Sequence, residues 1–280
     1  MQMASLVGAF AASHGPLIVR EWQRVPDEQK RRMAAAYREL GKRLSAAKPD
    51  VLVVVSPDHW SNFFLDNYPA VCIGVGETNE GPPEPWMKDF PHRTVPGHPG
   101  LAMHIADQAL REGFEPAVSH RLKLDHGSCI PLWRMELERL PQIVPLLVNS
   151  IEPPMPSLAR CYQWGTLLRK AIDSYAEPLR VAILGTGGLS HSIGEPTMGA
   201  IYEDFDRETI KRFSASQQSL IGFLEEKLPQ SGNGSEEVRN WLVAHGAAGG
   251  RGFELVDYLP VPKVLVGCGF AAWRTSGSPK

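Results

Sequence analysis

Val51–Val55 is an unbroken apolar run of four Val and one Leu, ended by Ser56-Pro57 and followed at once by Asp58 and His59. Apolar residues without polar alternation are what a strand buried on both faces requires, as in a parallel sheet. Leu6–Ala12 is a second apolar run, built of small residues, and it ends at Ser13-His14-Gly15-Pro16. Between the two the period changes: Met33, Tyr37, Leu40 and Leu44 recur on one face of a 3.6-residue helix, with Asp27 as its cap and Lys48-Pro49-Asp50 as its stop. Strand, helix and strand in that order predict parallel strands, with His14 and His59 at the same sheet edge.

Further strands are expected at Pro69–Val75, Leu122–Asp125, Gln142–Asn149, Leu179–Leu184 and Val264–Val266. Helices are expected at Pro99–Arg111, Ser157–Ala176 and Phe205–Leu228, the last with Ile210, Phe213, Ile221, Leu224 and Leu228 inward. Glu77–His98 is rich in Pro and Gly with little periodicity and reads as a long loop, a candidate lid. Gly232-Asn233-Gly234 reads as a flexible break, after which Ser235 caps a short helix carrying Glu236, Glu237 and Trp241. With no internal repeat and no low-complexity linker, residues 1–280 are expected to form a single domain of the α/β class. Its mostly parallel central sheet would be flanked by helices, with a metal site at the strand carboxyl ends.

The bulk numbers remove several partners. At 43% hydrophobic, 21% charged and a net charge of -2, the chain has no basic footprint for nucleic acid and no polybasic patch for a membrane surface. No apolar run approaches the roughly 18 residues needed to span a bilayer, and no basic segment followed by an apolar one marks a secretion signal. Cys72, Cys129, Cys161 and Cys268 are widely spaced without a CxxC, so neither a disulfide framework nor a zinc-thiolate site is suggested. Reduced thiols in a cytoplasmic protein are the simplest reading.

The chemistry concentrates in histidine. His14, His59, His126 and His191 each follow an expected strand, beside Gly, Ser or Asp; His92, His98, His104, His120 and His245 lack that context. A parallel sheet gathers strand carboxyl ends along one edge, where ligands bind. A lone His is most often structural, but four at one edge point to ligation and proton transfer. Two His and one carboxylate are the facial ligand set of non-heme Fe(II) oxygenases. Zinc hydrolases also use two His and a Glu, although HExxH is absent here. Spacing does not select the carboxylate among 31 acidic residues, so residue types alone lead to a mononuclear metal site and leave iron and zinc open. Gly185-Thr186-Gly187-Gly188 completes neither GxGxxG nor a P-loop; its glycines read as a close backbone approach that positions His191. Asp58 reads as structural support rather than a ligand.

Five motifs fall in the order seen in one family. Ser13-His14-Gly15-Pro16, Ser56-Pro57-Asp58-His59, Asp125-His126-Gly127, Gly185-Thr186-Gly187-Gly188-Leu189-Ser190-His191 and Glu237-Val238-Arg239-Asn240-Trp241 resemble the class III extradiol dioxygenases. That is the family of the protocatechuate 4,5-dioxygenase catalytic subunit. Asn62–Asn67, Pro69 and Cys72-Ile73-Gly74 also look like its single-domain members, and the resemblance runs from about Leu6 to Ala272. It implies that His14, His59 and Glu237 bind Fe(II). The family's Glu lies four residues before the Trp, which leaves Glu236 as a charge in a first helical turn. His191 corresponds to the family's acid–base residue, and His126 to a second His that orients or protonates substrate, the alternative being a structural His held by Asp125.

The implied reaction is O2-dependent cleavage of an aromatic ring beside a vicinal diol, in aromatic catabolism. Family-type substrates include protocatechuate, gallate, substituted catechols, aminophenols and dihydroxypyridines. Trp60, Phe63, Phe64 and the Glu77–Arg93 segment are candidate pocket walls, and Arg93 or Arg251 a candidate partner for a substrate carboxylate. The expected partners are therefore a small aromatic diol and O2. A homo-oligomer is expected, because most soluble oligomers are symmetric and built of one chain. A zinc or other metal-dependent hydrolase and a non-catalytic binding protein of the same fold are the alternatives.

Overall fold

The apolar runs become the inner strands of one eight-stranded sheet, seen in a computed structural model that describes residues 3–88 and 90–275. In chain order the elements are β1 (Ser5–Ala12), α1 (Leu17–Arg20), α2 (Asp27–Ala47), β2 (Val51–Ser56), β3 (Val71–Gly74), β4 (Thr78–Gly81), β5 (Arg93–Pro96), α3 (Pro99–Arg111) and β6 (Ala117–Ser119). Then follow α4 (His126–Arg134), β7 (Gln142–Val148), α5 (Leu158–Ser174), β8 (Arg180–Thr186), α6 (Glu203–Arg212), α7 (Gln217–Lys227), α8 (Val238–Ala247), β9 (Phe253–Val261) and β10 (Val266–Trp273). The sheet order is β6-β3-β7-β2-β8-β1-β10-β9. Its centre, β7-β2-β8-β1, is parallel throughout; β10 and β3 join its two sides antiparallel, and β9 pairs antiparallel with β10.

Period 2 explains the layering. Val51, Val53 and Val55 enter one core with α3, α5, α7 and α8, while Leu52 and Val54 enter the other with α2 and α4. β2 is buried along its whole length. The α/β class, the mostly parallel sheet and the flanking helices are therefore as expected. β8 lies between β1 and β2, so three carboxyl ends stand side by side and His14, His59 and the Gly187-Gly188 turn emerge at one edge. No helix among the described residues is long and apolar enough to cross a membrane.

Several boundaries differ, each for a local reason. Glu77–His98 is not a structureless loop: β4 and β5 pair as a hairpin around a one-turn 3-10 helix at Pro85–Met87. The hairpin is docked by main-chain bonds, Leu124 N–H to Glu80 O at 2.7 Å among them, which no periodicity announces. Leu122–Asp125 forms no strand. It makes a single bridge to Glu80 and runs directly into α4, which Gly127 and Pro131 disguise as loop. His126 thus opens a helix instead of following a strand. Phe205–Leu228 is two helices, because the Ser216 hydroxyl caps α7 by accepting from Ser219 N–H. Val264–Val266 lies at the turn of a longer hairpin, β9–β10, whose glycines weaken the strand signal. Asp27 is the first residue of α2, and Pro26 occupies its cap position. Ser235 donates to Ser231 O instead of capping; Glu237 itself occupies the cap position of α8, after a 3-10 turn at Asn233–Glu237.

Candidate active site

Two imidazoles meet one carboxylate at the edge where β1, β8 and β2 end. Nε2 of His14 lies 3.1 Å, and Nε2 of His59 3.2 Å, from Oε1 of Glu237. Each of the three is held from behind. His14 Nδ1 is 3.2 Å from the hydroxyl of Thr186, the last residue of β8. Asp125 Oδ2 accepts from both the His59 backbone N–H, at 2.8 Å, and His59 Nδ1, at 3.0 Å. Glu237 Oε2 accepts from Gly188 N–H at 2.7 Å. The whole of α8 is buried, and Asn240 Nδ2 and Trp241 Nε1 donate to Thr186 O and Gly187 O, pinning Glu237 to the end of β8. Gly187, at φ 104°, leaves no room for a side chain against the Glu237 carboxylate. The glycine pair expected to position His191 contacts Glu237 and the start of α8.

Two further imidazoles complete the cluster. His191 Nδ1 donates to Leu189 O at 2.9 Å, so Nε2 is the nitrogen that faces inward, 3.9 Å from Glu237 Oε2. Gly234, expected to be a flexible break, presses its Cα against the His191 ring; any side chain there would collide with it. The His126 ring lies 4.1 Å from that of His59 and 5.6 Å from that of His14. Its backbone N–H and its Nδ1 both meet Glu84 Oε1, at 2.8 and 2.7 Å. Asp125, which the alternative reading of His126 made its support, holds His59 and caps α4 through Gly127 N–H.

The five groups pull in opposite electrostatic directions. Burial would raise the Glu237 carboxyl, but the charge of His14 and hydrogen bonds from His14 and His59 outweigh it and hold it well below the usual range. Burial would lower His59, but Asp125 and Glu237 together push it up to about 10. His126 is lowered by burial and by the neighbouring His59 charge. Burial likewise lowers His191, against the pull of Glu237. The cluster thus combines two positions that attract a cation with two imidazoles that favour neutrality. Buried nitrogen and carboxylate donors whose far atoms are hydrogen-bonded fit a divalent metal ion, because such partners orient a ligand and raise its basicity. His14, His59 and Glu237 can supply that set. Ring nitrogens of His14, His59 and His126 also lie within 4.8 Å of one another.

The remaining candidates separate. Asp58 accepts from Asn62 and Phe63 N–H and shapes the turn after β2. Glu236 pairs with Arg239. Phe63 packs on Cys72, Leu122 and Leu147, whereas Trp60 and Phe64 are 37% and 55% exposed. The Glu77–Arg93 segment does reach the site, through Glu84 and through Trp86, whose ring is 5.3 Å from that of His126. Arg93 lies over Trp133 and Arg251 is exposed; neither has a contact with the five among the described residues. Glu84 and Thr186 are the contributors that sequence reasoning missed. Thr186 lay within a quoted motif, whereas Glu84 carried no signal beyond its place among prolines.

The chain resembles known proteins along most of its length. A family described as the catalytic LigB subunit of aromatic ring-opening dioxygenase matches residues 8–267. A 2,3-dihydroxyphenylpropionate/2,3-dihydroxicinnamic acid 1,2-dioxygenase of Klebsiella pneumoniae (strain 342) is 28% identical, over 92% of this chain and 95% of the relative. One from Dechloromonas aromatica (strain RCB), carrying the same name with the number 2, is 27% identical over 85% of this chain and 89% of its own. An uncharacterised protein of Escherichia coli K12 of known crystal structure shares the fold, with a TM-score of 0.65 over 95% of this chain and 99% of that chain at 17% identity.

Proposed function

The chain belongs to the LigB family of ring-opening dioxygenases of aromatic catabolism, and from that membership we propose an Fe(II)-dependent extradiol dioxygenase of catechol-type substrates. Ring-cleaving dioxygenase chemistry replaces the hydrolase and binding-protein alternatives. The observation that carries the metal assignment is the convergence of His14 Nε2 and His59 Nε2 on Glu237 Oε1, with every far atom of the three hydrogen-bonded. In this reading His14, His59 and Glu237 hold Fe(II), and residues 1–280 act as one catalytic domain. When bound, the iron would gather the two catechol oxygens and O2 at one centre and pass electron density from ring to O2.

The residues supply proton handling. A phenol with a pKa near 10 holds its proton at neutral pH, so a base must take it. With Nδ1 committed to Leu189 O, His191 offers Nε2 as that base and returns the proton to oxygen as the ring opens. His126, its ring 4.1 Å from that of His59, orients the second hydroxyl. Burial of His14, His126, His191 and Glu237 keeps bulk water from competing. Both atoms of O2 end in the ring-opened product.

The relatives are named for 2,3-dihydroxyphenylpropionate and 2,3-dihydroxicinnamic acid, which makes dihydroxyarenes with a carboxylated side chain the first substrates to test. Buried free thiols at all four cysteines suit a cytoplasmic enzyme, and the proposal includes a homo-oligomer. The test is anaerobic loading with Fe(II), then O2 uptake across dihydroxyphenylpropionate, protocatechuate, gallate, aminophenols and dihydroxypyridines. One O2 consumed per substrate, with a new visible absorbance, is expected. Iron-loaded protein that consumes none with any of them would overturn the substrate class.

A further inference from the structure

We propose that Glu84 is a positioning residue for His126, fixing the imidazole proton on Nδ1 and leaving Nε2 as the reactive nitrogen. One geometry occurs twice in the cluster. At His59, one carboxylate oxygen of Asp125 accepts from the residue's own backbone N–H and stands 3.0 Å from its Nδ1. At His126, one oxygen of Glu84 does the same, at 2.8 Å to the backbone nitrogen and 2.7 Å to Nδ1. A backbone N–H only donates, so the shared oxygen is an acceptor, and a bare Nδ1 lone pair facing it would be repelled. Nδ1 therefore carries a proton in both rings. In His59, Nε2 faces Glu237 Oε1. In His126 the proton on Nδ1 leaves Nε2 for whatever enters the cluster.

Glu84 is built for this rather than for packing. Pro82, Pro83 and Pro85 surround it and restrict its backbone. The hairpin that carries it is tied to the segment preceding His126 through Glu80 O and Leu124 N–H. Its side chain is only 12% exposed, and Oε2 is buried with no hydrogen-bond partner among the described residues. Trp86, two residues on, closes one side of the His126 ring while His59 lies along it at 4.1 Å.

The catalytic consequence rests on the dioxygenase reading; the tautomer does not. The full chain, metal-free and 15N-labelled at histidine, reports which nitrogen of His126 carries the proton, the signal being assigned by its loss in His126→Asn. Wild type should show Nδ1–H. Glu84→Ala should release the ring to a mixture with Nε2–H, and Glu84→Gln, which keeps an acceptor oxygen, should retain Nδ1–H. In the Fe(II)-loaded protein, Glu84→Ala should lower kcat about 10- to 100-fold with iron content unchanged, and Glu84→Gln should recover most of it. A wild-type ring protonated on Nε2, or a tautomer indifferent to Glu84→Ala, overturns the proposal. If the tautomer follows Glu84 but no catechol is turned over by wild type, the dioxygenase reading fails and the role of Glu84 stands.

Discussion

His14, His59 and Glu237 are gathered at strand ends of the central sheet, whereas His126 and His191 are each oriented by an acceptor outside that sheet. Behind the first three stand the ends of β1, β2 and β8 and a buried α8, with Thr186, Asp125 and Gly188 as their hydrogen-bond partners. Behind the other two stand a proline-flanked Glu84 on a hairpin excursion and a main-chain oxygen at Leu189. A metal ion asks for several donors at fixed mutual distances, which strand ends of one sheet provide. A proton carrier asks only that one nitrogen be committed and the other left free, and a single acceptor on a loop suffices.

Substitutions can break this division, and the largest effect should come from the strand-end group. His14→Ala and Glu237→Ala should each abolish retention of iron on dialysis, a greater loss than the roughly 10- to 100-fold expected of an outer partner; full iron occupancy by metal analysis in either variant would remove that residue from the ligand set. Next comes His191→Phe, which should keep its iron and lose about 10²- to 10⁴-fold in kcat. Unchanged turnover would show that His191 moves no proton in the rate-limiting sequence. Asp125→Asn should cost about 10- to 100-fold in iron affinity with little change in kcat at saturating iron, the reverse of Glu84→Ala. If the two variants behave alike, the division fails.

The smallest effect on the site sharpens the comparison from outside it. Asp206 is buried, accepts from Ser190 N–H and Oγ and from Tyr258 OH, and is pushed up to about 7 by burial against those hydrogen bonds. The unfolded carboxyl loses its proton near 4. Between roughly pH 4 and 7 the folded state therefore binds the extra proton, and stability should fall as pH rises through that window. Asp206→Asn should flatten the slope seen in thermal melting. A slope that survives the substitution would assign it to another group.

What the sequence made legible follows the same division. Val51–Val55 and Leu6–Ala12 announce their strands because burial on both faces leaves no room for polar residues, and the polar break after each marks His14 and His59. Glu237 was legible only through its spacing to Trp241, since nothing local separates it from Glu236. Glu84 was not legible at all: its contact with His126 spans 42 residues through a segment with neither helical nor strand period. Asp125 misled by adjacency, because a cap residue points its side chain back along the chain and reaches the neighbouring strand end. Proline and glycine hid α4 and β10 for the reason that gives them value there, since they lower the average preference on which a local reading depends.

The ladder neighbours of β1 are β8 and β10, and the partners of His14 are Thr186 and Glu237. A chain made from its amino end outward thus presents its first strand long before either neighbour exists. In the proposed reading, a nascent chain offers a metal ion imidazoles but not the carboxylate that joins them until residue 237 has emerged. Closing contacts this distant in sequence is slow by nature. On that reading the metal would meet a finished fold rather than guide an unfinished one, and loading should be the last event in the maturation of this enzyme.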